Sequence, residues 1–225
     1  MENERIQAAS GVTLIGGGDP SITMLEEALT HAPMLVGADG GANFALKHGL
    51  TPDFAIGDFD SISADVREAL PDERLIHDPD QDTTDFQKCL SRLDAPFILA
   101  VGFTGGRMDH TLAAMSALLA ESVAPTVLLT EHDLVFAVPQ EFSVDLGQQS
   151  RFSLYPMVDV TGTSEGLKWP IDGLSLAPNG RIATSNETTG PVKLSLDRRG
   201  MLGIVPRAQL GRIIPALVAS WPARA

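Results

Sequence analysis

The chain has 225 residues, 44% hydrophobic and 20% charged, with a formal net charge of −13. That composition supports a buried core and excludes a disordered chain, while the acidic balance excludes a broad basic surface for nucleic acid. One cysteine, Cys89, excludes an intramolecular disulfide and a cysteine-built zinc cage.

The opening residues MENERIQAAS carry acids and no apolar stretch, which predicts no secretory leader. No apolar run reaches the ~18–20 residues of a membrane span, so the expectation is a cytoplasmic protein with no membrane partner. Short apolar runs at 12–15, 34–36, 54–56, 74–76, 97–101, 126–129 and 134–138 read as strands. Helical patterns fall between them, at 21–31, 41–49, 63–70, 84–93 and 108–121. Phe86, Cys89, Leu90 and Leu93 share the apolar face of the 84–93 helix, and Asp82 or Thr83 is placed to cap it. This alternation predicts an α/β N-terminal domain with a mostly parallel sheet, over 1–140.

From 141 to 225 the texture changes. Short β-type runs at 142–146, 151–155, 167–171, 174–177, 181–184, 192–196 and 201–205 alternate with turn signals. Those are Asp172-Gly173, Asn179-Gly180, Thr189-Gly190-Pro191 and Arg199-Gly200. They predict a C-terminal antiparallel, β-sandwich-like domain. The tail 208–225 fits a strand or a Pro-broken helix. The charge divides with the texture: residues 1–140 carry 22 acids against 7 bases, and the rest carry 7 against 9.

The acids of the first part are not spread at random. Ligands of open α/β sheets bind beyond the carboxyl ends of the strands. Five successive strand ends there carry Gly, Asp or both: Gly16-Gly17-Gly18-Asp19, Asp39-Gly40-Gly41, Asp58-Phe59-Asp60, Asp78-Pro79-Asp80-Gln81-Asp82 with Asp85 beyond, and Gly102 to Asp109. A single such Asp is ordinary turn chemistry. A row of them on one sheet edge repels itself unless a cation intervenes, and oxygen ligands beside phosphate suit Mg2+. Glycines let backbone N–H groups approach an anion.

The chain has no G-x-x-x-x-G-K-[ST] loop, and Gly16-x-Gly18 with Asp39 downstream is only a partial dinucleotide fingerprint. The five histidines show no metal spacing, and Cys89 on an apolar face reads as core. Lys88 and Arg107 stand beside acidic loops, where each either holds phosphate oxygens or pairs with a neighbouring Asp.

Four blocks in order carry a family resemblance: Ala38-Asp39-Gly40-Gly41-Ala42-Asn43, Gly57-Asp58-Phe59-Asp60-Ser61, Asp80-Gln81-Asp82-x-Thr84-Asp85-Phe86-x-Lys88 and Gly105-Gly106-Arg107-x-Asp109-His110. With Gly166-Leu167-Lys168-Trp169 and Thr184-Ser185-Asn186-Glu187 they resemble the signature blocks of the thiamine pyrophosphokinase (thiamine diphosphokinase) family, over about residues 12–206. The resemblance implies a homodimer that transfers the pyrophosphoryl group of ATP to the hydroxyl of thiamine with Mg2+, releasing AMP.

It assigns Asp58, Asp60 and Asp85 to metal and polyphosphate, and Asp39 and Arg107, with Lys88, to the nucleotide. Gln81 and Asp109 would hold thiamine, with Trp169 and Ser185 reaching in from the β-domain of the other subunit; Ala183 competes with Ser185 for that contact. The catalytic group is then Asp58, Asp60, Asp85 and Asp109, with Asp85 and Asp109 both candidates for taking the hydroxyl proton. A cationic substrate suits an acidic domain and an aromatic face. Two other functions compete: another Mg2+-nucleotide-dependent transferase on the same scaffold, and a non-catalytic thiamine or nucleotide sensor. A sensor would leave Asp58, Asp60 and Asp85 without a purpose.

Overall fold

The structure, a computed structural model, describes residues 5–120 and 124–221. The chain forms two compact units that divide between Thr130 and Glu131.

The first unit begins with β1 (Ile6–Gln7), β2 (Val12–Ile15), α1 (Ile22–His31), β3 (Met34–Ala38), α2 (Gly40–Lys47) and β4 (Phe54–Gly57). It continues with α3 (Ala64–Ala69), β5 (Leu75–His77), α4 (Asp85–Arg92) and β6 (Leu93–Asp94). It closes with β7 (Ile98–Val101), α5 (Met108–Ala117) and β8 (Thr126–Leu129). Six strands form a sheet in the order β5-β4-β3-β2-β7-β8, all parallel. Every residue of β2, β7 and β8 is buried, as a parallel sheet covered on both faces requires.

The strand order reverses at β2, whose neighbours are β3 on one side and β7 on the other. That is where an open α/β sheet leaves a crevice. The loops after β2 and β7 meet there backbone to backbone. Gly102 has φ +77°, and a Cβ on it would lie 2.5 Å from the Gly16 carbonyl oxygen. Only glycine accommodates both demands.

The expected strands and helices of this unit are all present, with ends shifted by a few residues. α5 ends at Ala117; position 121, its expected limit, lies outside the described residues. α4 is capped by Thr84, one residue after the expected candidates. The Thr84 hydroxyl accepts from the Gln87 N–H, and the Gln87 side chain accepts from the Thr84 N–H. This reciprocal pair stabilises the helix start by about 1 kcal/mol and puts Asp85 in the first turn.

The second unit comprises β9 (Asp133–Ala137), β10 (Glu141–Val144), β11 (Arg151–Pro156), β12 (Val160–Leu167), β13 (Ser175–Leu176), β14 (Ala183–Leu196), β15 (Met201–Pro206) and α6 (Leu210–Ser220). Its strands pair antiparallel. The sequence texture changes at 140/141, ten residues later than the structural division. The reason is β9, which pairs with β15 and so belongs to the second unit.

β14 departs most from expectation. The runs at 181–184 and 192–196 merge into one strand, and the predicted turn at Thr189-Gly190-Pro191 lies inside it. Its first part pairs with β11; its second lies between β10 and β12. Pro191 offers no N–H for a ladder, and it sits where β12 shifts register. Gly166 in that shift has φ +75°, and a Cβ on it would meet the Pro191 carbonyl oxygen at 2.1 Å. Burial alternates strictly from Val192 to Leu196, as a strand with one covered face requires.

The expected strand at 167–171 instead runs from Val160 to Leu167. Within the tail, Leu210–Ser220 form a helix that contains Pro215 on its exposed side, with Leu210, Ile213 and Leu217 buried opposite; residues 222–225 lie outside the described residues.

Candidate active site

The loops after five strands, β2, β3, β4, β5 and β7, and the start of α4 surround a cavity of about 530 Å³ at the carboxyl edge of the parallel sheet. Its wall includes the glycine loops at 16–18 and 102–106, together with Asp39, Asp58, Asp85 and Lys88.

Asp39 follows β3 with φ 41°, an uncommon conformation for a residue with a side chain. It is 3% exposed. One carboxylate oxygen accepts the Ser61 N–H at 3.2 Å, while the other, Oδ1, is buried with no hydrogen-bond partner among the described residues. Burial, and then the charge of Asp85, hold its pKa above the usual carboxylate value. A buried oxygen left unpaired in this way costs stability until a donor or cation meets it.

Asp58 and Asp60 follow β4 on either side of Phe59. One oxygen from each, with one from Asp39, lies within 4.8 Å of the others. Asp58 Oδ1 accepts the Asp60 N–H at 3.3 Å. Its Oδ2 accepts from the Gln81 amide at 3.2 Å and from the Lys88 ammonium at 3.4 Å. Burial works against its charge, but the Asp60 N–H, Gln81 and Lys88 outweigh it and lower its pKa.

Lys88 is the buried cation of the site, its side chain 3% exposed, 3.4 Å from both Asp58 and Asp85. These contacts are the ion pairing that one of its two sequence readings expects. Burial opposes its charge; Asp85 and Asp58 overcome that and raise its pKa. Asp85 itself is shifted upward, first by burial, with Lys88 acting against the shift.

Arg107 also pairs with a neighbour. Its guanidinium meets Asp109 through two hydrogen bonds, at 3.1 and 2.5 Å, with both side chains exposed. The Arg107 hydrogen bond holds Asp109 down to a pKa of about 2. Arg107 lines the cavity and Asp109 does not. Asp78 and Asp80 follow the ordinary turn chemistry. Asp78 binds Arg92 at 2.8 Å, and Asp80 accepts from the Asp82 N–H and the Thr83 hydroxyl.

Trp169 and Ser185 lie in the second unit. Trp169 is 56% exposed, which sets aside a core role, and the Lys168 ammonium lies 4.9 Å from its ring centroid. Asn186, buried, holds the Trp169 backbone from both sides: its Oδ1 accepts the Trp169 N–H and its Nδ2 donates to the Trp169 carbonyl. Ser185 has φ 60°, and its N–H donates to Ser153 Oγ at 2.9 Å.

Sequence reasoning missed Phe103, Phe86 and His110 in the cavity wall. Phe86 and Phe103 stack with ring centroids 4.4 Å apart. The aromatic at 103, between two glycine positions, was the available signal. His110 carries no such signal, since the histidines show no metal spacing.

Comparisons with known proteins identify the family. The family model described as "Thiamin pyrophosphokinase, catalytic domain" matches residues 25–128, the stretch that carries Asp39 to Asp109. The chain is 32% identical over 174 residues to "Thiamin pyrophosphokinase 1" of Caenorhabditis elegans, covering 68% of this chain and 71% of that protein. It is 31% identical over 189 residues to "Thiamine pyrophosphokinase 1" of Oryza sativa subsp. japonica, covering 69% of this chain and 72% of that one. The solved structure "Thiamin pyrophosphokinase from Candida albicans" superimposes with a TM-score of 0.73 at 18% identity, over 90% of this chain and 92% of that one, which supports the fold. The ordered sequence blocks, the carboxylate cavity and these relatives converge: the chain belongs to the thiamin pyrophosphokinase family.

Proposed function

We infer that the chain is an ATP-dependent thiamine pyrophosphokinase: it transfers the pyrophosphoryl group of ATP to the thiamine hydroxyl, giving thiamine diphosphate and AMP. One observation carries the site reading. Asp39, Asp58 and Asp60 converge beyond the carboxyl ends of β3 and β4, and the buried Asp39 Oδ1 has no hydrogen-bond partner among the described residues. An all-oxygen group with an unpaired buried member fits a hard dication.

In this reading Asp39, Asp58 and Asp60 hold Mg2+, with Asp85 at the same wall. When bound, Mg2+ supplies charge neutralisation for the polyphosphate and its leaving group. The glycine loops at 16–18 and 102–106 let main-chain N–H groups approach phosphate oxygens, and Arg107 adds a cation at the rim. Lys88 keeps Asp58 ionised and oriented. Asp85, inside the cavity and with a raised pKa, is better placed than Asp109 to accept the hydroxyl proton. Asp109 stays ionised and supplies negative charge for the thiazolium. Pyrophosphoryl transfer needs this positioning rather than a covalent nucleophile.

Gln81, Trp169 and Ser185 complete our proposal as thiamine contacts in a homodimer. The exposed Trp169 ring, which already faces a cation in Lys168, supports that role. The test is incubation with ATP, Mg2+ and thiamine, followed by mass detection. Thiamine diphosphate and AMP in equal amounts are expected; ADP with thiamine monophosphate would refute the assignment. Modification of unrelated alcohols, with thiamine left unchanged, would favour the broader transferase reading.

A further inference from the structure

We propose that Arg67 is a positioning residue for the cation seat: it clamps Phe59 in a left-handed backbone conformation and thereby fixes how Asp58 and Asp60 converge. The proposal rests on reading Asp39, Asp58 and Asp60 as the Mg2+ group.

Phe59 has φ 65°. That region brings the Cβ of an L residue against its own backbone, and a bulky side chain is rarely found there. The bend has a visible result. It folds the Asp60 N–H back onto Asp58 Oδ1 at 3.3 Å and brings one oxygen of each carboxylate within 4.8 Å of Asp39. A strained residue between two functional carboxylates persists only when its surroundings hold it.

Two restraints come from the ring. It packs against an apolar cluster that includes Ile62, Val66 and Leu70, and it lies 5.4 Å from the His77 ring. Two come from Arg67 of α3. Its Nη2 donates to the Phe59 carbonyl at 3.0 Å, and its guanidinium lies 5.4 Å from the Phe59 ring centroid. Arg67 therefore grips the backbone and the side chain of the same residue. Beyond it, Asn43 fixes the rest of the loop, donating to the Ser61 carbonyl at 2.7 Å and accepting the Ser63 N–H at 2.8 Å. Arg67 does not line the cavity, so its effect on the site passes through Phe59.

The experiment uses Mn2+ as a spectroscopic probe, titrated into the full-length chain and followed by electron paramagnetic resonance without nucleotide. Wild type is expected to bind Mn2+ at a site lost in Asp60→Asn. Arg67→Met, which removes the donor and the charge from an exposed position, is expected to weaken binding about tenfold, the scale of one released backbone strain. Arg67→Lys keeps a donor for the carbonyl and a cation for the ring, so it should stay within about threefold of wild type. Melting curves check folding, and Arg67→Gln stands in should Arg67→Met fail to fold, with a loss of at least about threefold expected. Wild-type Mn2+ affinity in Arg67→Met, or in Arg67→Gln as its substitute, would overturn the clamp while leaving the seat intact. An absence of any Asp60-dependent Mn2+ site in wild type would remove the seat, and the clamp with it. A general surface role for Arg67 would move the melting temperature without moving the Mn2+ affinity.

Discussion

Replacing Lys88 with Met tests the electrostatic core of the site. The ammonium lies 3.4 Å from an oxygen of Asp58 and one of Asp85, and is itself almost fully buried. At an effective dielectric of about 20, each contact corresponds to roughly 5 kcal/mol of attraction before desolvation. Desolvating three charges offsets most of that, and breaking a buried pair typically costs 3–5 kcal/mol because the remaining charges are stranded. Here the Asp85 side chain is 41% exposed and Asp58 21%, so water recovers part of the loss. The expected destabilisation is about 2–3 kcal/mol at pH 7, or roughly 5–10 °C in melting temperature for a chain of this size.

The pH dependence has a definite sign. Lys88 is shifted upward, so its contribution is complete below its unfolded pKa and is lost as pH rises through the folded value. Asp58 is shifted downward, so its contribution is present above its unfolded pKa and fades as pH falls through the folded value. The difference between wild type and Lys88→Met should therefore be widest near neutrality and narrow towards both extremes. Thermal unfolding by circular dichroism from about pH 2 to about pH 12, without divalent cations, measures it. A difference under about 0.5 kcal/mol at pH 7, the range of a neutral surface change, would refute the reasoning.

Asp60→Asn is expected to fold normally and lose turnover by about two orders of magnitude or more, since charge neutralisation in the transition state is what it removes; steady-state assays at saturating Mg2+ check it. Asp39 is shifted upward, so in the metal-free protein its ionised form opposes folding above its unfolded pKa, and the opposition fades as pH falls through the folded value. Asp39→Asn should then raise the metal-free melting temperature at pH 7 while abolishing Mn2+ binding; a lowered melting temperature would contradict this. Mixing Asp60→Asn with Trp169→Ala by co-refolding should restore about a quarter of the sites if a homodimer shares each site between chains. Activity no greater than the summed parents, with hybrid dimers present by native mass spectrometry, would exclude sharing.

The parallel sheet was legible because its strands are continuous apolar runs separated by helical periods, and the cavity was legible because chain direction puts all the loops concerned on one edge. What escaped the sequence has physical causes. β14 reads as two strands and a turn because Gly190-Pro191 is turn chemistry in isolation; only the register shift at Gly166 reveals a place for a proline within a ladder. Beside an acidic loop Lys88 has two readings in one dimension, and only the fold shows that α4 turns it inward between Asp58 and Asp85. Gln81 likewise faces Asp58. Asp39 joins Asp58 and Asp60 across two strands, a proximity no spacing within one loop encodes.

The double membership of β14 also decides where the second unit tolerates a change of length. Side chains alternate along a strand, so one inserted residue in a paired stretch turns every later side chain to the opposite face. An insertion near Asn186 would detach Trp169 from its backbone hydrogen bonds, and one near Leu194 would expose residues now buried. Between Thr188, the last partner of Leu167, and Val192, the first partner of Val144, no pairing holds the register, and open space lies beyond Gly190. That short interval is where a tag or reporter peptide can enter the strand without reversing either half.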